Sequence, residues 1–248
     1  MPGVRDAGKA VPTDWAQMTV AASDGTMVPA WLRMPVVQNL APAKVPLVVF
    51  FHGNAEVIDD IAVQDPAVSI YAPWGYAVLL IEYRGYGRAY GVDGGPTQKG
   101  IVADSVQLID LATARADIDG DRMVYYGRSL GGGVACAVAA ERPPSAIILQ
   151  STFRSMTAMA GRYLVPSFLV RHPFRSEKFL AGFGGPVLLF HGTRDDIVPC
   201  SHSESLQTTC PHARLVTQAC GHNDFPADFD AYEREIKAFL DSLPSTKP

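Results

Sequence analysis

Ser129 stands in Gly127-Arg128-Ser129-Leu130-Gly131, a G-x-S-x-G sequence set between the β-prone run Val124 to Tyr126 and an Ala-rich run ending near Glu141. A strand, a sharp turn and a helix form the setting in which this motif lifts a serine hydroxyl out as a nucleophile. Glycines at 127 and 131 spare the strained turn a collision between a Cβ and neighbouring chain. The helix that follows opens Leu130-Gly131-Gly132-Gly133, so its first turn can lie close to the strands and its free N–H groups favour negative charge near Ser129.

An activated serine needs a base, and the base needs an orienting acid. His191-Gly192-Thr193-Arg194-Asp195-Asp196 follows the apolar run Val187 to Phe190 and offers Asp195 at a strand end, with Asp196 as its rival. Gly221-His222-Asn223-Asp224 follows the run Arg214 to Gln218 and offers His222. The implied chemistry is acyl transfer to water: Ser129 attacks a carbonyl, His222 carries the proton and Asp195 fixes the imidazole tautomer. The oxyanion needs backbone donors, expected from Leu130 and from Asn54 in the loop after His52. Ala55 is the alternative to Asn54, whose amide side chain has the competing use of holding that loop. His52 and His191 also precede glycine at strand ends, where a His-Gly step mostly serves the turn.

The elements that must position these residues alternate along the chain. Gln17 to Ala22 and Met27 to Met34 read as an antiparallel hairpin around Ser23-Asp24-Gly25-Thr26. Pro46 to His52 and Ala77 to Tyr83 are continuous apolar runs, the mark of strands buried on both faces of a parallel sheet. A helical pattern covers Gln98 to Ala114, Met123 to Tyr126, Ala146 to Gln150, Pro186 to His191 and Arg214 to Gln218 supply further strands, and an amphipathic helix closes the chain near Ala227 to Leu240. The fold class is α/β, a mostly parallel doubly wound sheet. Ser151 to Gly185 is long for a link between strands; Met156, Met159, Tyr163 and Leu164 fall at helical spacing there, which predicts a small cap or a crossover helix.

The 248 residues hold no linker or repeat, so a single domain over 1–248 is expected, with 151–185 as a cap insertion within it. Lys plus Arg number 21 against 25 for Asp plus Glu, and the net charge of -4 gives no general reason to bind nucleic acid or anionic lipid. The first residues carry no apolar stretch of signal-peptide length and no run is long enough to span a bilayer, so a soluble, cytoplasmic protein acting on a small molecule is expected. Four cysteines do not make a disulfide scaffold. Cys200, Cys210 and Cys220 each stand two residues before a histidine, a spacing poor for zinc, and neither metal nor cofactor is expected. Oligomeric state has no signature in the sequence.

The order Ser, Asp, His along the chain, with His52-Gly53-Asn54-Ala55, Tyr83-Arg84-Gly85-Tyr86-Gly87 and Gly127-Arg128-Ser129-Leu130-Gly131-Gly132, resembles the α/β-hydrolase superfamily of serine hydrolases over about Gln17 to Leu240. Within it the chain is similar to small, lightly capped members that include eukaryotic protein depalmitoylases. That resemblance implies an α/β-hydrolase fold and selects Asp195, fifth in HGxxD, as the acid. The chain departs from the group at Glu82, where Asp is usual, and at Arg88, where a small Ser is common.

Other chemistries lack their residues: a P-loop needs Lys after its glycines, a dinucleotide site needs G-x-G-x-x-G where HGNAE stands, and dehalogenases of this fold carry Asp at the elbow. Between Ser151 and Gly185, Arg154, Arg162, Arg171, Arg175 and Lys178 face a single acid, Glu177, a balance wrong for holding the protonated amine of an aminopeptidase substrate. Phe153, Met156, Tyr163 and Phe168 suit a short or medium acyl chain. The reading is a carboxylesterase or thioesterase; the alternatives are a serine aminopeptidase or amidase on the same three residues, and a non-catalytic hydrolase-like ligand-binding protein.

Overall fold

The computed structural model describes residues 10–35, 44–90, 95–162 and 166–244, with residue 162 described by its backbone alone. Tyr163 and Leu164 therefore lie outside the described residues, as do residues 1–9 of the N-terminal stretch. Eight strands form one sheet: Trp15–Ala21 (β1), Met27–Arg33 (β2), Val45–Phe51 (β3), Ala77–Ile81 (β4), Ile118–Arg128 (β5), Ala146–Gln150 (β6), Val187–Gly192 (β7) and Ala213–Gln218 (β8). Their order is β1-β2-β4-β3-β5-β6-β7-β8. β1 with β2 and β2 with β4 pair antiparallel, whereas β3 with β4, β6 with β7 and β7 with β8 pair parallel. The helices are Ile58–Gln64 (α1), Pro66–Ser69 (α2), Gln98–Thr113 (α3), Leu130–Ala139 (α4), Met156–Arg162 (α5), Ser176–Leu180 (α6), Ser201–Thr209 (α7) and Phe229–Asp241 (α8). None of those described is long and apolar enough to cross a membrane. The chain divides into two compact units, residues 1–125 and 126–248.

In the first unit the β1–β2 hairpin closes on Gly25, whose φ of 83° suits glycine, while Asp24 Oδ1 accepts from Thr26 N at 3.0 Å. Leu47 to Phe51 and the whole of β4 are fully buried, as their unbroken apolar runs require. α3 starts where Thr97 Oγ1 accepts from Gly100 N at 3.1 Å, and it buries Ile101, Val102, Leu108, Ile109 and Ala112 along one face. Arg84 ties these parts together: its Nε and Nη2 reach the two oxygens of Asp104 on α3, each at 2.7 Å, and its Nη1 reaches Asp24 at 2.7 Å. Asp104 is 2% exposed, so Arg84→Ala would strand a buried carboxylate; urea denaturation of that variant should show a loss of about 3 kcal/mol in unfolding free energy.

The two departures from the resembled motif both acquire partners in this unit. Glu82, fully buried, sets Oε1 2.9 Å from His52 Nε2 and accepts from Tyr83 N at 3.2 Å, while its Oε2 meets Ile58 N at the start of α1 at 3.4 Å. The same carboxylate occupies the space beside Gly87, whose φ is 39°. Arg88 donates through Nε to Asp59 at 2.8 Å, and its guanidinium lies 5.5 Å from the Trp31 ring centroid; Trp31 Nε1 in turn donates to Asp59 at 2.7 Å.

β5 begins at Ile118, five residues before the strand expected from Met123. Asp119-Gly120-Asp121 has the composition of a turn, yet Arg122 bonds Asp119 at 2.7 Å and Lys44 O at 2.8 Å and Val45 N donates to Asp117 O at 2.9 Å, which together hold the segment extended. α1 and α2, two short helices after His52, were not among the elements expected from the sequence.

In the second unit β6 and β7 are buried throughout. α4 meets the strands through its glycines: a Cβ at Gly127 would lie 2.5 Å from Gly131 O, and one at Gly133 would lie 2.9 Å from both Phe153 and Phe174. α8, opened by Asp228 accepting from Ala231 N at 2.9 Å, buries Tyr232, Ile236, Phe239 and Leu240. Tyr232 OH lies 2.7 Å from Tyr126 OH, and both reach Gln150 Oε1, so a polar cluster is satisfied inside this core. The interval 151–185 holds α5, a 3₁₀ turn at Ser167–Leu169 and α6. Backbone bonds from Met156 N to Pro173 O at 2.8 Å and from Glu177 N to Arg154 O at 3.0 Å stitch its two ends together.

Candidate active site

Ser129 sits between the end of β5 and the start of α4 with φ 52° and ψ -115°, a conformation that costs a non-glycine residue about 1–3 kcal/mol. Its neighbours over-determine that turn. Ser129 N donates to Gln150 O at 2.8 Å, and Ser129 O accepts from Thr152 Oγ1 at 2.8 Å and Gly132 N at 3.0 Å. The anchoring oxygen of Gln150 belongs to the residue whose side chain Tyr126 and Tyr232 hold. Neither Thr152 nor Gln150 carried a sequence signal, since their role depends on β6 lying beside β5.

Asp195 lies in the loop after β7 and His222 in the loop after β8. Thr193 N to Gln218 O at 2.8 Å and Arg194 N to Cys220 O at 2.9 Å bind the two loops together, and Gly221 N to Asp224 Oδ1 at 2.7 Å fixes the approach to the histidine. His222 Nδ1 is 2.6 Å from Asp195 Oδ2, and His222 Nε2 is 3.0 Å from Ser129 Oγ. The carboxylate accepts, so Nδ1 carries the proton and Nε2 is left to accept from the serine hydroxyl. Asp196, the neighbouring carboxylate, is exposed.

Asp195 is buried, which by itself disfavours its charge, but hydrogen bonds from His191, His222 and Val198 outweigh burial and hold its carboxyl well below the usual carboxylate range. Oδ1 accepts from Ile197 N at 3.0 Å and Val198 N at 2.7 Å. His191 is the partner that a turn reading of its His-Gly step hides. Its Nε2 is 2.7 Å from Val198 O, an acceptor, so Nε2 bears the proton, and it also lies 3.3 Å from Asp195 Oδ2. Its Nδ1 takes the Ser203 hydroxyl at 2.6 Å. His52, in the first unit, is held between Gly53 O at 2.8 Å and Glu82 and stacks on Tyr83, ring centroids 3.9 Å apart.

Leu130 opens α4, whose first-turn N–H groups have no acceptor within the helix. Asn54 belongs to the first unit, where its Oδ1 accepts from Tyr86 OH at 2.7 Å, so its amide does hold that loop. Of the expected acyl contacts, Phe153 is buried against α4, Met156 is half-buried on α5, and Phe168 is 83% exposed on the 3₁₀ turn; Tyr163 falls outside the described residues. Burial pushes the Cys136 thiol up to about 12 and raises those of Cys200, Cys210 and Cys220. Among the described residues no group of three or more His, Cys, Asp or Glu side chains is placed to hold a metal ion.

A mostly parallel sheet flanked by helices, with a serine in a strained strand-to-helix turn bonded to a histidine that is itself bonded to an aspartate, the two coming from later strand-end loops, defines an α/β hydrolase. The chain belongs to the family described as serine aminopeptidase, S33 (Hydrolase_4), whose model matches residues 42–174. Relatives include YfhR of Escherichia coli K12, 30% identical over 240 residues that cover 92% of this chain and 82% of that protein. The α/β hydrolase domain-containing protein WAV2 of Arabidopsis thaliana is 33% identical over 226 residues, 83% of this chain and 69% of that one. Among solved structures, the Pyrococcus furiosus esterase PF2001 superposes with a TM-score of 0.74 at 17% identity, covering 95% of this chain and 94% of its own. The acylaminoacyl peptidase of Pyrococcus horikoshii does so with 0.71 at 13%, covering 96% of this chain and 43% of its own. The fold is thus shared by esterases and peptidases.

Proposed function

We propose that the protein is a serine hydrolase that cleaves carboxylic esters or thioesters through an acyl-enzyme. The observation that carries this reading is the unbroken relay from Ser129 Oγ to His222 at 3.0 Å and on to Asp195 at 2.6 Å. Ser129 Oγ adds to the substrate carbonyl carbon as His222 Nε2 takes its proton. The tetrahedral oxyanion collapses, the carbon–oxygen or carbon–sulfur bond breaks, and Nε2 returns the proton to the leaving alcohol or thiol. A water then repeats the sequence on the acyl-serine, releasing the acid and free Ser129. Asp195, charged throughout, holds the imidazole tautomer and stabilises the imidazolium. Leu130 N–H is the proposed oxyanion donor beside the nucleophile, and Asn54 N–H is the second donor expected from the sequence. No cofactor enters any step. Residues 151–185 serve as the cap, with Met156 toward the acyl chain, and the free cysteines, three buried and Cys200 half-buried, suit a cytoplasmic setting.

The family's description favours a second reading, aminopeptidase action on the same three residues. Against it stand Arg154, Arg171, Arg175 and Lys178, all exposed in the interval where a protonated amine would need carboxylates. The test compares kcat/KM for an acyl ester, an acyl thioester and an aminoacyl anilide of similar size. The ester or thioester should lead by about tenfold or more. A lead for the free-amine anilide would replace the esterase reading with the aminopeptidase one.

A further inference from the structure

We infer that the surface carrying Arg154, Phe168, Leu169, Arg171, Arg175 and Lys178 docks the protein on a bilayer bearing anionic phospholipid headgroups. Phe168 and Leu169 enter the apolar boundary, and the cations of the same interval meet the phosphates. Phe168 is 83% and Leu169 59% exposed, and no residue of their 3₁₀ turn is buried. Two adjacent large apolar side chains left in water forgo a stabilisation that burial elsewhere would supply.

Charge identifies the cover. Arg154, Arg171, Arg175 and Lys178 are exposed, and among the described residues none of them forms an ion pair. The single acid of the interval, Glu177, is half-buried. The bonds from Met156 to Pro173 and from Glu177 to Arg154 bring the two ends of the interval together, so these cations share one locality rather than being scattered. The whole chain carries a net charge of -4, so its excess of acid lies outside this interval. At physiological salt, charges act over about 8 Å, so the local sign decides what approaches.

A protein partner of stable affinity covers about 800 Å² on each side, far more than one turn offers. Entry into a headgroup layer asks only for a short apolar tip ringed by cations, each attracted to an anionic surface. The docking is peripheral and reversible, because so small a tip adds little to the electrostatic attraction.

Flotation of the purified chain with vesicles of phosphatidylcholine alone, or of equimolar phosphatidylcholine and phosphatidylserine, tests the assignment. Binding is expected on the anionic vesicles, about tenfold or more above the neutral ones at low salt, falling as salt rises. The pairs Arg171→Gln with Arg175→Gln, and Phe168→Ser with Leu169→Ser, should each weaken it on the order of tenfold, circular dichroism showing the fold retained. Absence of binding to either vesicle, or binding unchanged in both double variants, overturns the proposal. Binding to soluble polyglutamate as tight as to vesicles, and indifferent to Phe168→Ser with Leu169→Ser, overturns it in favour of an acidic polypeptide.

Discussion

Ser129→Ala should lower kcat for a p-nitrophenyl acyl ester by about 10⁵-fold or more while leaving the urea midpoint within a narrow range of wild type. On the proposed mechanism the substitution removes the only atom that bonds to substrate. The residual rate is that of water attacking a carbonyl held by the remaining oxyanion donors. The fold is indifferent because Ser129 is held through its backbone, by Gln150 O, Thr152 Oγ1 and Gly132 N, and Oγ contacts His222 alone among the bonds that describe it. Relief of a strained φ is not expected, since Ala meets the same penalty at 52°. A full rate in Ser129→Ala would assign the chemistry elsewhere.

Asp195→Asn should cost about 10⁴-fold in kcat, whereas Asp196→Asn should change it little. An amide at 195 presents an N–H or a weaker acceptor to His222 Nδ1, so the imidazole loses the tautomer that leaves Nε2 free for Ser129. His191→Gln removes only one of the donors that ring the carboxylate and should fall between these two. The pH dependence separates the roles. Asp195 is depressed below the usual carboxylate range, so its contribution to stability is present above its unfolded value of about 3.9 and is lost as pH falls toward the folded value. In the wild type, kcat/KM should therefore show no ionisation belonging to Asp195 above about pH 4. Equal rates in Asp195→Asn with collapse in Asp196→Asn would move the acid by one residue.

Strand ends made the candidate site legible. Ser129, Asp195 and His222 are chemically distinctive types, each placed just after a β-prone run, and the three side chains do meet. The buried runs of β3, β4, β6 and β7 were legible because a strand covered on both faces has no polar positions to hide its limits. What escaped depended on contacts between segments distant in the chain. His191 reads as half of a turn until Val198 and Ser203 fold back over β7, and Thr152 until β6 lies beside β5. The early start of β5 at Ile118 is held by Arg122 and by Val45, against a local Asp-Gly-Asp composition that favours a turn. Between residues 151 and 185, helical spacing gave α5 from Met156, but period alone does not separate a half-buried Met156 from an exposed Phe168. The net charge argued against a lipid surface, while four exposed cations without an ion pair among the described residues, in the same interval as exposed Phe168 and Leu169, argue for one.

Acyl transfer by this protein requires Ser129 to be the nucleophile. Incubating the purified wild-type chain with a fluorophosphonate, measuring intact mass and mapping the modified peptide tests it most directly. One adduct per chain, located on Ser129, absent from Ser129→Ala and formed far more slowly in His222→Ala, is the predicted result. An unmodified wild-type chain, or an adduct on any other residue, would contradict it.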